Sequence, residues 1–240
     1  MSRDRLRSQE QYGVSASRKP QAKLQSERLV DKVHGLLHRD ILSGKLLPGQ
    51  PLSVPEISRQ LGVSRSPVRE AVLQLVADGL AWEEARKGAV VAQFGLEDAL
   101  QLLEAREVLE LASVRLGAVR ATSADFAALK QVLHSQQLSI QKANFRGYLA
   151  SDLEFHKLLG SLSHNPALGR MVGLLKDQSL LAQDSVSRSL VQLELGFKEH
   201  LAVFEALELR NSEEAAGALL KHFKRIRESL ENWLALPRHS

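Results

Sequence analysis

The sequence contains no cysteine, which excludes disulfides and any thiolate metal site. Aromatic residues make up only 5% of the chain, so a core must be built mainly from Leu, Ala and Val. No apolar run approaches the roughly 18 residues of a membrane span. The arginine-bearing start lacks the apolar segment of a secretory signal, and a cytoplasmic protein with no membrane partner is expected. There is no HExxH or comparable motif to supply a general base beside a metal-bound water, which argues against a metal-dependent hydrolase.

What is present is a soluble-protein composition over 240 residues, 44% hydrophobic and 25% charged, with room for two modest domains. The formal charge of +4 is carried entirely by residues 1–25, where six basic side chains face Asp4 and Glu10. The remainder is neutral overall, so net charge is no argument that the folded part binds nucleic acid. Residues 1–25 lack hydrophobic periodicity and read as a disordered basic tail. Such a tail either adds nonspecific phosphate contacts or is simply solvated.

From Ser26, a plausible cap, Leu29, Val30, Val33, Leu36, Leu37, Ile41 and Leu42 follow helical spacing. The turn-forming run Leu47-Pro48-Gly49-Gln50-Pro51-Leu52 precedes Ser53, which can cap a short helix carrying Ile57 and Leu61. Gly62 suits a tight turn, Ser64 can cap, and Pro67 is tolerated in a first helical turn, so another helix starts near Arg65. Arg65, Ser66 and Arg69 share one side of it, while Val68, Val72, Leu75 and Val76 share the other. The N-terminal end of such a helix enters the major groove in helix-turn-helix proteins, where arginine pairs bidentately with guanine. An amphipathic helix with a solvated charged face is the alternative. Two short strand-like runs, Leu80 to Glu83 and Ala89 to Gln93, flank a basic tip at Lys87-Gly88. The predicted fold class is therefore mainly α: a winged helix-turn-helix with a small two-stranded wing over 26–93, a linker at 94–97, and then a bundle of about six helices over 98–236, with residues 237–240 as a tail.

In the bundle Asp152 and His156 are four apart on one helical face. His200 lies among Phe197, Val203 and Phe204, and His222 beside Leu219 and Ile226. Three imidazoles and a carboxylate facing an interior would hold a divalent transition metal with positions open for water or an anion. Hydrogen-bonded core histidines are the competing reading, and spacing leaves both open. Arg106, among Leu102, Leu103 and Leu109, either receives an effector carboxylate or pairs with Glu110 at i+4.

Several motifs in register resemble one family. Leu47-Pro48-Gly49, Val63-Ser64-Arg65-Ser66-Pro67-Val68-Arg69-Glu70-Ala71, Asp78-Gly79-Leu80 and Lys87-Gly88-Ala89-Val90-Val91 are similar to the N-terminal domain of GntR-family bacterial transcription regulators. The resemblance implies operator contacts at Ser64, Arg65, Ser66, Arg69, Lys87 and Gly88. It also departs at Pro55, where a family contact falls on a residue with no side-chain donor. Arg106-x-x-x-Glu110, Asp152-x-x-Phe155-His156, Asn165-Pro166 and Glu199-His200-x-x-x-Phe204 resemble the FCD domain of the FadR-type branch. That implies Asp152, His156, His200 and His222 as ligands of a divalent metal, zinc first and nickel or manganese also suited. It further implies a small carboxylate effector near Arg106, and a homodimer on a palindromic operator, probed against a purely metal-sensing regulator as the alternative.

Overall fold

The computed structural model describes residues 19–182 and 190–234. The first helix, α1 (Lys19–Leu42), begins at Lys19 and not at the Ser26 cap. Pro20 is tolerated in a first turn, and Gln21 to Gln25 are helix formers with no glycine among them, so nothing stops the helix at Ser26. Residues 19–25, expected within a disordered tail, are thus helical. Residues 1–18 and the expected tail at 237–240 lie outside the described residues, as do 183–189 and 235–236 of the expected bundle.

Helices α2 (Val54–Leu61) and α3 (Arg65–Ala77) are joined through Gly62, whose φ of 66° lies in the left-handed region. Its N–H returns to Ser58 O, closing the tight turn that only glycine adopts cheaply. Strands β1 (Ala81–Glu84) and β2 (Gly88–Val91) pair antiparallel, with Ala81 opposite Val91. The run at 49–52, read as a turn, also joins this wing. Leu52 donates to Ala89 O at 2.8 Å, Val91 to Gln50 O at 2.9 Å, and Gly49 to Val91 O at 2.9 Å. The core of this unit is Val30, Val33, Leu37 and Ile41 of α1 against Val68, Val72 and Leu75 of α3, closed by Leu80 and Val91. Burying such side chains supplies about 1.5–3 kcal/mol each.

Six helices follow: α4 (Leu96–Arg120), α5 (Ser123–Gln141), α6 (Phe145–Ser161), α7 (Pro166–Ala182), α8 (Leu190–Glu208) and α9 (Ser212–Leu234). α4 runs through the middle and packs on α6, α7, α8 and α9. Their core is Leu103, Val114, Leu129, Phe155, Leu159, Val203, Leu207, Leu219 and Phe223. α6 and α7 approach closely at Gly160, where an added Cβ would sit 2.7 Å from Val172 Cβ. That approach brings the inward face of α7 up to α6.

α7 also meets the N-terminal unit. Leu181 inserts into the core formed by α1 and α3. His38 Nε2 of α1 lies 2.9 Å from Asp177 Oδ2, and Gln178 Nε2 donates to Asp78 O at the end of α3 at 2.8 Å. Nothing in the sequence marked either contact, because each joins residues a hundred or more positions apart, from helices with no local signal for one another.

Candidate metal centre and nucleic-acid interface

α3 presents Arg65, Ser66 and Arg69 to solvent while Pro67, Val68, Ala71 and Val72 are buried. This is the two-faced helix that the spacing predicts. Ser64 occupies the N-cap position, yet its hydroxyl makes no capping bond, and Ser53 of α2 behaves the same way. Both remain available to an external acceptor or donor. Ser66 Oγ donates to Glu70 Oε1 at 3.1 Å. At the wing tip Lys87 is exposed and 2.7 Å from Glu84 Oε1, and Gly88 has a φ of 76°. Pro55 is exposed in the first turn of α2, with Arg59 exposed in its last turn.

The three histidines come from three helices, His156 from α6, His200 from α8 and His222 from α9, and all are buried. Their potential ligand atoms lie within 4.8 Å of one another. Each Nδ1 has an acceptor. His156 Nδ1 meets Glu110 Oε2 at 2.5 Å, His222 Nδ1 meets Glu199 Oε2 at 2.8 Å, and His200 Nδ1 meets Gln136 Oε1 at 3.1 Å. An ionised carboxylate only accepts, so with Glu110 and Glu199 ionised Nδ1 of His156 and His222 carries the proton. The Gln136 amide is oriented by Nε2 donating to Ser151 O at 3.4 Å, which leaves its oxygen for His200. In every ring the lone pair therefore sits on Nε2, and all three Nε2 atoms are buried without a partner. Hydrogen-bonded core histidines would use both nitrogens; these use one.

Burial holds His156 and His200 well below the ordinary imidazole range, with the Lys176 charge also lowering both. Burial lowers His222 too, against the opposing bond from Glu199. All three are kept neutral, the form that binds a metal. Phe155 stacks on the His200 ring at 4.2 Å and fixes its plane.

Asp152 adjoins this cluster without being part of the tight trio. Its Oδ1 is 3.8 Å from His156 Nε2 and 3.7 Å from His200 Nε2, while Oδ2 accepts from Lys176 Nζ at 2.6 Å. Burial works to raise its pKa, but the Lys176 charge and the hydrogen bond from Lys176 outweigh burial and hold it well below the carboxylate range. Lys176 is fully buried on α7, and burial together with Arg106 lowers its pKa against the pull of Asp152. Arg106 does pair with Glu110, Nε to Oε1 at 2.9 Å, as the i+4 spacing allows. Its Nη1 and Nη2 are nevertheless buried and unpartnered, with Cζ 5.3 Å from the Phe223 ring centroid. One carboxylate thus orients both the arginine fork and His156. Burial raises the Glu110 pKa, with the Arg106 and Lys176 charges opposing.

Lys176 and Gln136 carry no expectation from sequence, and Glu199 enters there only as a motif residue without a role. Lys176 did carry a signal, since it falls four residues after the buried Val172 and three before the buried Ser179. A lysine on a buried stripe needs a counter-charge. Gln136 had none, as it lies in a polar run.

Comparison with known proteins follows the same division. Residues 29–91 match the model of bacterial regulatory proteins of the gntR family, and residues 101–225 match the FCD domain. The chain is 29% identical over 203 residues to the HTH-type transcriptional repressor RspR of Escherichia coli, covering 83% of this chain and 87% of that one. It is 33% identical over 187 residues to the Nta operon transcriptional regulator of Aminobacter aminovorans, covering 75% and 86%. Among solved structures, E. coli McbR/YncC superposes with a TM-score of 0.75 at 23% identity, over 86% of this chain and 98% of that one. That likeness concerns the fold.

Proposed function

The chain belongs to the GntR family of bacterial regulatory proteins and is a transcriptional regulator with an FCD domain, and on that premise we propose that its DNA binding is controlled by a small organic acid at a metal site. The observation that carries this reading is the set of three buried Nε2 atoms without partners, each on a ring fixed through Nδ1. A divalent metal satisfies all three at once, and the Nδ1 acceptors supply the outer partners that metal-bound histidines have. His156, His200 and His222 would hold the ion with Asp152 Oδ1 beside them, and a bound metal would supply a positive charge with positions open to an anion. Imidazole and carboxylate donors favour zinc, with nickel or manganese also compatible. Arg106 presents its free Nη1 and Nη2 to the carboxylate of the effector.

In this reading residues 26–93 bind the operator and 98–236 bind the effector, joined through 94–97. Ser64, Arg65, Ser66, Arg69, Lys87 and Gly88 contact the DNA. A homodimer with two-fold symmetry meets a palindromic site in the cytoplasm and acts as a repressor. Helix α7 supports the coupling. Lys176 faces the metal centre, while Asp177 and Gln178 next to it hold His38 and Asp78 of the DNA-binding unit. An effector that prefers one arrangement of α7 shifts the placement of α3. The relatives are regulators, not enzymes, and no hydrolase activity is assigned.

The test begins with selection of bound sites from random duplex DNA by the full-length chain. Operator affinity is then measured with metal-free protein, with metal, and with metal plus small carboxylates. The reading expects a palindromic site and a change in affinity that requires metal and acid together. A full response to metal alone identifies a metal sensor. No response to either removes the control reading and leaves a constitutive DNA-binding protein.

A further inference from the structure

Four ionic side chains lie buried beside the histidines: Arg106 and Glu110 of α4, Asp152 of α6 and Lys176 of α7. They pair internally, Arg106 with Glu110 at 2.9 Å and Lys176 with Asp152 at 2.6 Å. Two cations and two anions leave the inner pocket neutral. At its rim Glu199 and Arg225 also cancel, through bonds of 2.7 and 2.8 Å. A divalent ion on three neutral imidazoles therefore brings two uncompensated positive charges into a buried region. Buried charge without a partner is strongly unfavourable. A neutral ligand leaves all of that excess in place, and a monoanion leaves half.

The geometry provides two receptors for negative charge. One is the metal, which three histidines and one carboxylate oxygen leave with open positions. The other is the Arg106 fork, whose Nη1 and Nη2 are buried and unpartnered. The two receptors are tied together, because Glu110 holds Arg106 Nε through one oxygen and His156 Nδ1 through the other. We propose that the effector is a short organic dianion, in the simplest case a dicarboxylate, with one carboxylate at the metal and the other on Arg106, and that Lys176 sets this charge requirement. Lys176 acts through Asp152. By neutralising that carboxylate it removes the negative charge that would otherwise offset half of the metal. This inference rests on the metal reading of the site.

The full-length chain, stripped of metal, is titrated calorimetrically with zinc, nickel and manganese. The loaded protein is then titrated with malonate, succinate and glutarate, and with propionate, butyrate and pentanoate as monoacids of matching length. At least one dicarboxylate is expected to bind about tenfold or more tighter than its matched monoacid, and to tighten metal binding by the factor by which metal tightens its own binding. Without metal this preference disappears. Lys176→Gln lowers the loaded pocket to one excess positive charge and is expected to abolish or invert the preference, whereas Lys176→Arg, which keeps the charge, retains it. Equal binding of mono- and dicarboxylates to the loaded wild-type protein overturns the dianion assignment and leaves the metal site standing. An unchanged preference in Lys176→Gln, with its circular dichroism and metal binding intact, overturns the role given to Lys176. Failure of every metal to bind overturns the metal reading and this inference with it.

Discussion

Arg65 and Arg69 stand in solvent with no ion pair among the described residues, whereas Arg106 is buried, bound through Nε to Glu110 and left with two free nitrogens. On the proposed reading, the same side-chain chemistry serves two kinds of anion. An exposed arginine keeps its hydration until a phosphate or base edge displaces it, so its contribution is strongly salt-dependent. A buried and oriented fork has already met its desolvation cost during folding, and its ligand must be small enough to enter and charged enough to compensate. The exposed arginines are positioned by their own helix. The buried cluster is held by partners on other helices: Glu110 on α4, Gln136 on α5 and Lys176 on α7.

The largest expected effect breaks the buried side of this comparison. His200→Ala removes one of three ligands and should lower metal affinity by more than the roughly 10–100-fold that loss of an outer partner costs. Elemental analysis after dialysis against buffered metal measures it. Loss of the ring stacked on Phe155 also leaves a cavity, costing about 2–4 kcal/mol of stability, which thermal unfolding of the metal-free protein reports separately. Retention of metal at wild-type affinity would falsify the assignment of His200 as a ligand.

Acid acts on the same region. The three histidines are held below the usual imidazole value of about 6.5 in the folded chain. Below that pH the unfolded chain takes up protons that the folded chain refuses. The stability associated with neutral histidines is therefore complete above pH ~6.5 and declines as pH falls, by up to ~1.4 kcal/mol per pH unit for each ring. Glu110, raised by burial, takes up a proton in the folded state and opposes part of this. Melting temperatures of metal-free protein should fall between pH 7 and pH 5, and bound metal should be released over the same interval. A flat profile would mean that the rings are open to water.

Arg69→Ala tests the exposed side. It is expected to cost about 1–3 kcal/mol in operator binding if the guanidinium reads a base, with metal and carboxylate binding unchanged. Operator affinity unaltered at fixed salt would return α3 to an amphipathic helix with a solvated face.

The two regions were legible in sequence to different degrees, and the reason is locality. The recognition helix announces itself in consecutive residues, because Gly62, Pro67 and the valines at 68 and 72 fix turn, start and buried face within about three turns. The bundle of about six helices over 98–236 was legible for the same reason, since helical periodicity is local. The histidines could be nominated individually, but spacing alone left ligand and core readings open. Motif resemblance brought them together before any distance was known. What bears on those readings is which nitrogen is occupied, and that depends on Glu110, Gln136 and Glu199, which lie on three different helices. The early start of α1 is hidden for the opposite reason: a basic, glutamine-rich composition masks the helix propensity of Gln21 to Gln25.

The smallest expected effect sharpens the comparison most cheaply. Lys87 sits at the wing tip, more than half exposed and paired with Glu84 three residues away. An exposed pair of this kind contributes about 0–1 kcal/mol, so Lys87→Ala should leave unfolding nearly unchanged. If Lys87 meets a phosphate, the variant weakens binding to operator and random duplex alike, and the slope of log affinity against log salt falls by about one. Glu84→Ala is the informative control. It frees Lys87 from its partner, so it should strengthen binding slightly at low salt, with the gain fading as salt rises. A salt slope unmoved by Lys87→Ala would take the wing tip out of the interface and leave the operator to Arg65 and Arg69.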